Sequence, residues 1–248
     1  MAISSKERNR DGFIERGAEV TRLEAFIDAA FAFAVTLLVI SVDTIPASRE
    51  EMLIALKGVP AFAVSFAMIA VFWYGHAAYT RRYGLDDLPS TLLGLTLVFF
   101  VLVFVYPLKV MFAAFFARMS DGWLPAHFML ESREDWIFVF LGFGVVFATM
   151  GTVLALLTRH AWNLRDQLGL DIEERVGTRC VELSWWLIPI VSLISIALTV
   201  VAASAPEIPW LLGLPGPVYM LLAAQYPLIT WFRRRLLRKI DAQTLVAD

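Results

Sequence analysis

Long apolar runs, separated by short polar intervals, dominate this chain from residue 22 to residue 232. Five runs have about 20 residues or more without a formal charge, the helical length that crosses a ~30 Å bilayer core. The first run carries Glu24 and Asp28 near its beginning. All six runs are continuous rather than alternating, which favours helices over a transmembrane barrel. The pattern predicts six transmembrane helices, at residues 22–43, 56–80, 88–117, 136–159, 182–205 and 208–232.

Basic residues are distributed unequally between the two sides of these spans. Sixteen Lys and Arg residues fall on one side: five in the N-terminal tail, two between spans two and three, four between spans four and five, and five in the C-terminal tail. The other side has Arg49, Arg118 and Arg133. Because cytoplasmic loops carry the positive excess, we expect both termini in the cytoplasm of a multi-pass inner membrane protein. Residues 1–240 would form one domain, and residues 241–248 a C-terminal tail.

Composition agrees with an all-α integral membrane protein. Of the 248 residues, 59% are hydrophobic and 18% are charged, and the mean hydropathy is +0.69. A soluble domain is about half apolar and a quarter charged. The loops are too short for an attached enzyme domain, and no Cys/His spacing resembles a metal site. We expect no enzymatic activity, no metal, no cofactor and no nucleic-acid partner; the expected surroundings are the lipid bilayer.

Two polar residues lie at the cytoplasmic ends of predicted spans, where charge is costly unless it is paired or reaches water. Asp28 is in the first span and His76 is in the second. Because both residues lie at a similar depth on the same side, a hydrogen bond between Asp28 and His76 is possible. It would either fix the packing of the helices or, because histidine titrates near neutral pH, respond to protons.

The first span also has a stripe at helical spacing, formed by Phe26, Ala30, Phe33, Leu37, Ile40 and Thr44. Such a stripe indicates either packing against another helix or the wall of a pathway.

Two motifs resemble the signatures of the endolysosomal potassium channel family. The segment from Arg22 to Asp28 reads R-L-E-A-F-I-D, close to the family's R-x-x-x-F-S-D, and an apolar run containing T-L-L follows it. The second span contains Ser65-Phe66 and Phe72-Trp73-x-x-His76, similar to the family's S-F and F-W-x-x-H. The resemblance covers roughly residues 20–110.

This resemblance implies a homotetramer that conducts potassium ions through a central pore lined by the four first helices. Carried onto this chain, it implies narrow pore layers at Phe33, Leu37 and Ile40. It also implies a polar network that holds the pore helix, formed by Arg22, Asp28, Trp73 and His76.

Two positions depart from the family pattern. Ile27 replaces the serine of the signature, and Phe33 stands where the family commonly has isoleucine. Four phenyl rings would then meet at a constriction that gates by dewetting. A potassium-permeable cation channel is the leading functional hypothesis. The alternatives are a proton-coupled transporter that uses Asp28 and His76 as a relay, and a non-conducting structural or regulatory membrane protein.

Overall fold

The computed structural model describes residues 8, 11–40, 46–126, 128 and 130–247. In this part of the chain the α-helices are α1 (Arg22–Ile40), α2 (Arg49–Lys57), α3 (Val59–Tyr83), α4 (Leu88–Met119), α5 (Arg133–Asn163), α6 (Ile172–Ser204) and α7 (Gln225–Ala247). The described residues form no strand beyond an isolated antiparallel bridge between Arg8 and Ile14. The prediction of an all-helical fold is confirmed.

Helices α3, α4, α5 and α6 are long and apolar enough to cross a membrane. They overlap the second to fifth predicted spans, although α6 begins at Ile172 and the predicted fifth span begins at residue 182. Only 33–44% of the most apolar stretch of each helix is buried within the single chain. Extensive apolar surface on these helices is therefore left for lipid or for other protein chains, as expected of a membrane protein.

The predicted sixth span, residues 208–232, is not one regular α-helix. It contains two 3₁₀ segments, Pro209–Gly213 and Pro217–Ala224, and then the beginning of α7. Proline fixes φ and has no amide hydrogen to donate within a helix. The prolines that interrupt this stretch are Pro209, Pro215 and Pro217.

Helix α2 is a short element that the hydropathy pattern does not predict. Ser48 caps it by accepting a hydrogen bond from the amide of Glu51, at 3.1 Å. The Glu51 carboxylate accepts a hydrogen bond from the amide of Ala47 in return, at 2.7 Å. The S-x-x-E pattern of a helix start is present in the sequence, although the helix is too short to register as a span.

Helix α4 packs against α1, α3 and α5, while α5 and α6 lie along each other. The residues that α1 contributes to the core recur at three- and four-residue steps: Ile27, Phe31, Ala34 and Leu38. One face of α1 is thus buried in the core of its own chain.

Candidate ion pathway and its polar support

The opposite side of α1 is open. Phe33 is 57% exposed and Phe26 is 56% exposed in the single chain. Leu37 is half-buried and packs against the edge of the core. Ile40 ends the helix, and its side chain lies outside the described residues. The structure therefore presents Phe33 on a free helix face and Leu37 at the border of that face.

Small residues share this open face with Phe33. Ala25, Ala29, Ala32 and Thr36 are all exposed, and the Thr36 hydroxyl donates to the carbonyl of Ala32 at 3.0 Å. Small side chains let neighbouring helices approach closely in a membrane. The open face thus suits close contact with a neighbouring helix.

Asp28 is held by the aromatic residue of the second motif. Trp73 Nε1 donates a hydrogen bond to Asp28 Oδ1 at 2.8 Å, which joins α1 to α3. Arg22 is the first residue of α1 and is exposed. Among the described residues, no hydrogen bond links Arg22 to Asp28 or Trp73. The hydrogen bond that joins the two motifs among the described residues is therefore the Asp28–Trp73 pair.

His76 lies deeper, where α1, α3 and α4 meet. It is 2% exposed, and its Nδ1 has no hydrogen-bond partner in the described part of the chain. Gly94 of α4 makes this close approach possible: a Cβ there would lie 2.7 Å from Ile27 Cδ1 and 3.3 Å from His76 Nε2. The Asp28–His76 hydrogen bond that the sequence allowed is not formed among the described residues, where Asp28 accepts from Trp73 instead.

A network that the sequence reasoning missed surrounds the beginning of α1. Residues 11–20, here called the docking segment, run along the C-terminal end of α3 and the N-terminal end of α6. Arg16 donates two hydrogen bonds to the Glu174 carboxylate, at 2.7 and 2.8 Å, and the amide of Ile14 donates a third at 2.9 Å. The side chains of Arg16 and Glu174 are 13% and 0% exposed. This is a buried, bidentate ion pair.

Phe13 anchors the same segment by apolar contact. Its ring is 4% exposed and meets the edge of Tyr83, with the ring centroids 6.0 Å apart. The Arg82 guanidinium lies 4.7 Å from the centre of the Phe13 ring. A Cβ at Gly177 of α6 would come within 2.8 Å of Phe13, so a larger residue there would have to displace the Phe13 ring.

The docking segment leads directly into α1. The amides of Arg16 and Gly17 both donate to the carbonyl of Arg81, at 3.1 and 3.0 Å. Gly84 ends α3 with φ +59°, and a Cβ there would lie 2.9 Å from the backbone of Arg16, so both its conformation and its contact favour glycine. The docking segment therefore fixes where α1 begins relative to α3.

In the first turn of α1, the Thr80 hydroxyl of α3 donates to the Glu24 carboxylate at 2.8 Å. Glu24 is 8% exposed. This bond ties the beginning of α1 to α3 a second time. The sequence signal for it was Glu24 itself, a carboxylate at the end of a predicted span.

A separate polar contact joins the beginning of α4 to the end of α5. Asp87 caps α4, and its Oδ2 lies 2.5 Å from His160 Nε2. Burial raises the pKa of Asp87, but hydrogen bonds from Ser90 and His160 outweigh burial and hold this pKa below its usual value. The contact therefore favours the charged carboxylate.

Comparison with known proteins agrees with both motifs. The family model of the endosomal/lysosomal potassium channel TMEM175 matches residues 22–107. A potassium channel from Marivirga tractuosa is 32% identical over 195 residues, covering 76% of this chain and 78% of that protein. The crystal structure of a variant of the potassium channel MtTMEM175, in complex with a nanobody–MBP fusion protein, is 28% identical with a TM-score of 0.77; the match covers 94% of this chain and 100% of that chain. The chain belongs to the TMEM175 potassium channel family.

Proposed function

We propose that the protein is a potassium-permeable channel of the inner membrane, and that four copies arrange their α1 helices around a central pore. The matching sequence from Marivirga tractuosa and the matching crystal structure of MtTMEM175 are both described as potassium channels. The observation that carries the pore assignment to α1 is its two-faced packing. One face lies in the core, and the other exposes Phe33 and a row of small residues.

Phe33 belongs to a face of α1 that the rest of its own chain leaves uncovered. A monomer would leave this ring and that of Phe26 against lipid. Around a fourfold axis, the same face would meet its own copies, and the alanines beside Phe33 would let the helices approach. The resulting pathway would be narrow and apolar, with layers at Phe33, Leu37 and Ile40 one helical turn apart.

Such a constriction passes ions only when it is wet. Phenyl rings at the first layer reduce the radius more than the isoleucine that the family commonly has at this position. We infer that Phe33 sets the main barrier to ion passage, and that shortening its side chain increases conduction.

The polar network is proposed to hold α1 in register with α3. Its described contact is the Asp28–Trp73 hydrogen bond at 2.8 Å. His76 and Arg22 complete the proposed set, His76 from the buried junction with α4 and Arg22 from the exposed beginning of α1. Because Asp28 is part of α1, a change at Trp73 would act on the pore helix without touching the pathway.

The proposed topology has six crossings with both termini in the cytoplasm. The first is α1, four more are α3 to α6, and the sixth comprises the 3₁₀ segments with the beginning of α7. The sixteen-to-three distribution of basic residues supports this orientation. In it, the docking segment and the ends of α3 and α6 lie on the cytoplasmic side.

Cysteine cross-linking tests the arrangement of α1. Cys180 is the one native cysteine and is buried, so wild-type protein should give little background. In oxidising conditions, Phe33→Cys in membranes should yield covalent dimers, because copies of this position face one axis. Phe99→Cys is the matched control, since Phe99 is 61% exposed but belongs to α4. Failure of Phe33→Cys to cross-link, or equal cross-linking of both variants, would contradict the proposal.

A further inference from the structure

Helix α7 has a basic groove that the proposed pore does not use. The groove is open, has a volume of about 630 Å³, and runs along one face of the helix. Trp231, Arg234 and Arg238 follow one another along it at three- and four-residue steps, so their side chains share that face. Tyr226 and Arg235 complete its lining.

The charge in this groove is not neutralised by the rest of the described chain. The neighbouring Arg233 pairs with Glu173 at 3.4 Å. No ion pair to a described acidic residue is formed by Arg234, Arg235 or Arg238. Elsewhere on the same predicted side, a carboxylate oxygen lies within 3.2 Å of each of Arg8, Arg16, Arg82, Arg159, Arg175 and Arg179.

Two aromatic rings indicate where this groove lies relative to the membrane surface. Tyr226 is 81% exposed and Trp231 is 54% exposed. The Arg235 guanidinium lies 5.4 Å from the centre of the Trp231 ring. Exposed Trp and Tyr side chains favour the boundary between hydrocarbon and headgroups. The arginines that follow Trp231 would then lie at the level of the lipid phosphates, a placement that rests on the topology in the proposed function.

We propose that this groove binds the phosphate of an anionic phospholipid from the cytoplasmic leaflet. Arg234 and Arg238 donate to the phosphate oxygens, and guanidinium groups suit such oxygens because they can donate two parallel hydrogen bonds. The Trp231 ring lies beside the glycerol and the upper acyl chain. A second copy of the chain would present the same cationic face and be repelled, whereas an anionic headgroup complements it.

Native mass spectrometry of the purified full-length protein tests this proposal. The protein in neutral detergent is titrated with phosphatidylglycerol and, separately, with phosphatidylcholine. We expect preferential retention of phosphatidylglycerol. Arg234→Gln/Arg238→Gln should weaken that binding about thirtyfold, since each basic residue near an anionic lipid surface strengthens binding about fivefold.

Two control variants make the result specific. Arg165→Gln/Arg175→Gln removes two arginines from the same predicted side, and these lie 3.6 and 2.7 Å from carboxylate oxygens of Asp166. It should keep the wild-type affinity. Arg234→Lys/Arg238→Lys keeps the charge but removes the planar guanidinium, and it should bind phosphatidylglycerol more weakly than wild type does.

Several outcomes would overturn the proposal. These are an unchanged affinity of Arg234→Gln/Arg238→Gln, an equal loss in the Arg165→Gln/Arg175→Gln control, and full competition by inorganic phosphate, which would indicate a soluble-anion site. Potassium flux is measured after the same purified protein has been reconstituted into liposomes. Lipid binding without flux would contradict only the channel proposal, and flux without selective lipid binding would contradict only the lipid site.

Discussion

Removing the Arg16 side chain should strongly destabilise the protein. Its guanidinium is the charged partner of Glu174, whose side chain is 0% exposed. Arg16→Ala would leave that carboxylate buried without its cation. Breaking a buried pair by removing one partner costs about 3–5 kcal/mol. For a chain of this size, each kcal/mol shifts the melting temperature by about 2–4 °C.

We therefore expect Arg16→Ala to lower the melting temperature by about 6–20 °C. The assay is thermal unfolding in detergent, followed by intrinsic tryptophan fluorescence. Arg8→Ala is the matched control, because Arg8 bonds to Asp171 and Glu173 at 2.6 and 2.7 Å but is 39% exposed. Exposed pairs contribute about 0–1 kcal/mol, so this control should shift the melting temperature by at most a few degrees.

A shift below about 3 °C for Arg16→Ala, or an equal effect of Arg8→Ala, would show that the burial of the Arg16–Glu174 pair adds little to stability. A second variant identifies the origin of the loss. Replacing both partners, as in Arg16→Met/Glu174→Leu, removes the uncompensated charge along with the pair. It should be more stable than Arg16→Ala, because apolar replacement of a whole buried pair is often close to neutral.

Gly75→Ala should be less stable than wild type by about 1–3 kcal/mol, because the new Cβ would lie 2.3 Å from Cζ2 of Trp185. Gly142→Ala is its control, since a Cβ there meets nothing within 4 Å; equal melting temperatures for the two variants would contradict the packing. Stability in acid should depend on Asp87, because its pKa is lowered in the folded protein. The contacts of the charged carboxylate therefore stabilise the fold fully above pH 3.8, the usual pKa of the group, and this stabilisation is lost as the pH falls through the lower pKa of the folded state. Asp87→Asn should be less stable at neutral pH and lose less stability between pH 5 and pH 2, roughly the range in which aspartate titrates; an unchanged acid profile would contradict the role of His160 and its partner.

The helices α3 to α6 could be predicted from the sequence because uncharged runs of sufficient length have few alternatives in a membrane. Hydropathy reports only length and polarity, so it could not distinguish the 3₁₀ segments after Pro209 from a regular helix. The prolines and glycines in that stretch were the available signal. Hydropathy also did not predict helix α2, because this helix is short and its sequence signal is the N-cap at Ser48.

Asp28 and Trp73, one from each motif, are joined by a hydrogen bond in the structure. Asp28 and Trp73 are 45 residues apart, and only the family pattern suggested that they belong to one network. The docking segment had no such signal. Arg16 and Glu174 are separated by 158 residues, and each is an ordinary charged residue in a polar interval. Only the fold reveals that this pair is buried, because burial depends on how the ends of α3 and α6 meet.

The packing also gives the departure at Ile27 a physical meaning. Ile27 is 0% exposed and packs against Gly94. At the position of Ile27, the family signature has a serine hydroxyl. The nearby His76 Nδ1 has no described partner. In this chain, the junction of α1, α3 and α4 relies on apolar contact more than the family signature suggests.

Potassium flux through reconstituted liposomes tests whether α1 lines the pore. Wild-type protein, Phe33→Ala and Phe99→Ala are compared at equal protein density under a potassium gradient. If α1 lines the pore, Phe33→Ala should conduct faster than wild type, because removing four rings widens and wets the constriction. Phe99→Ala, which changes an equally exposed ring on α4, should match wild type. Absence of potassium flux in both wild type and Phe33→Ala would contradict the account.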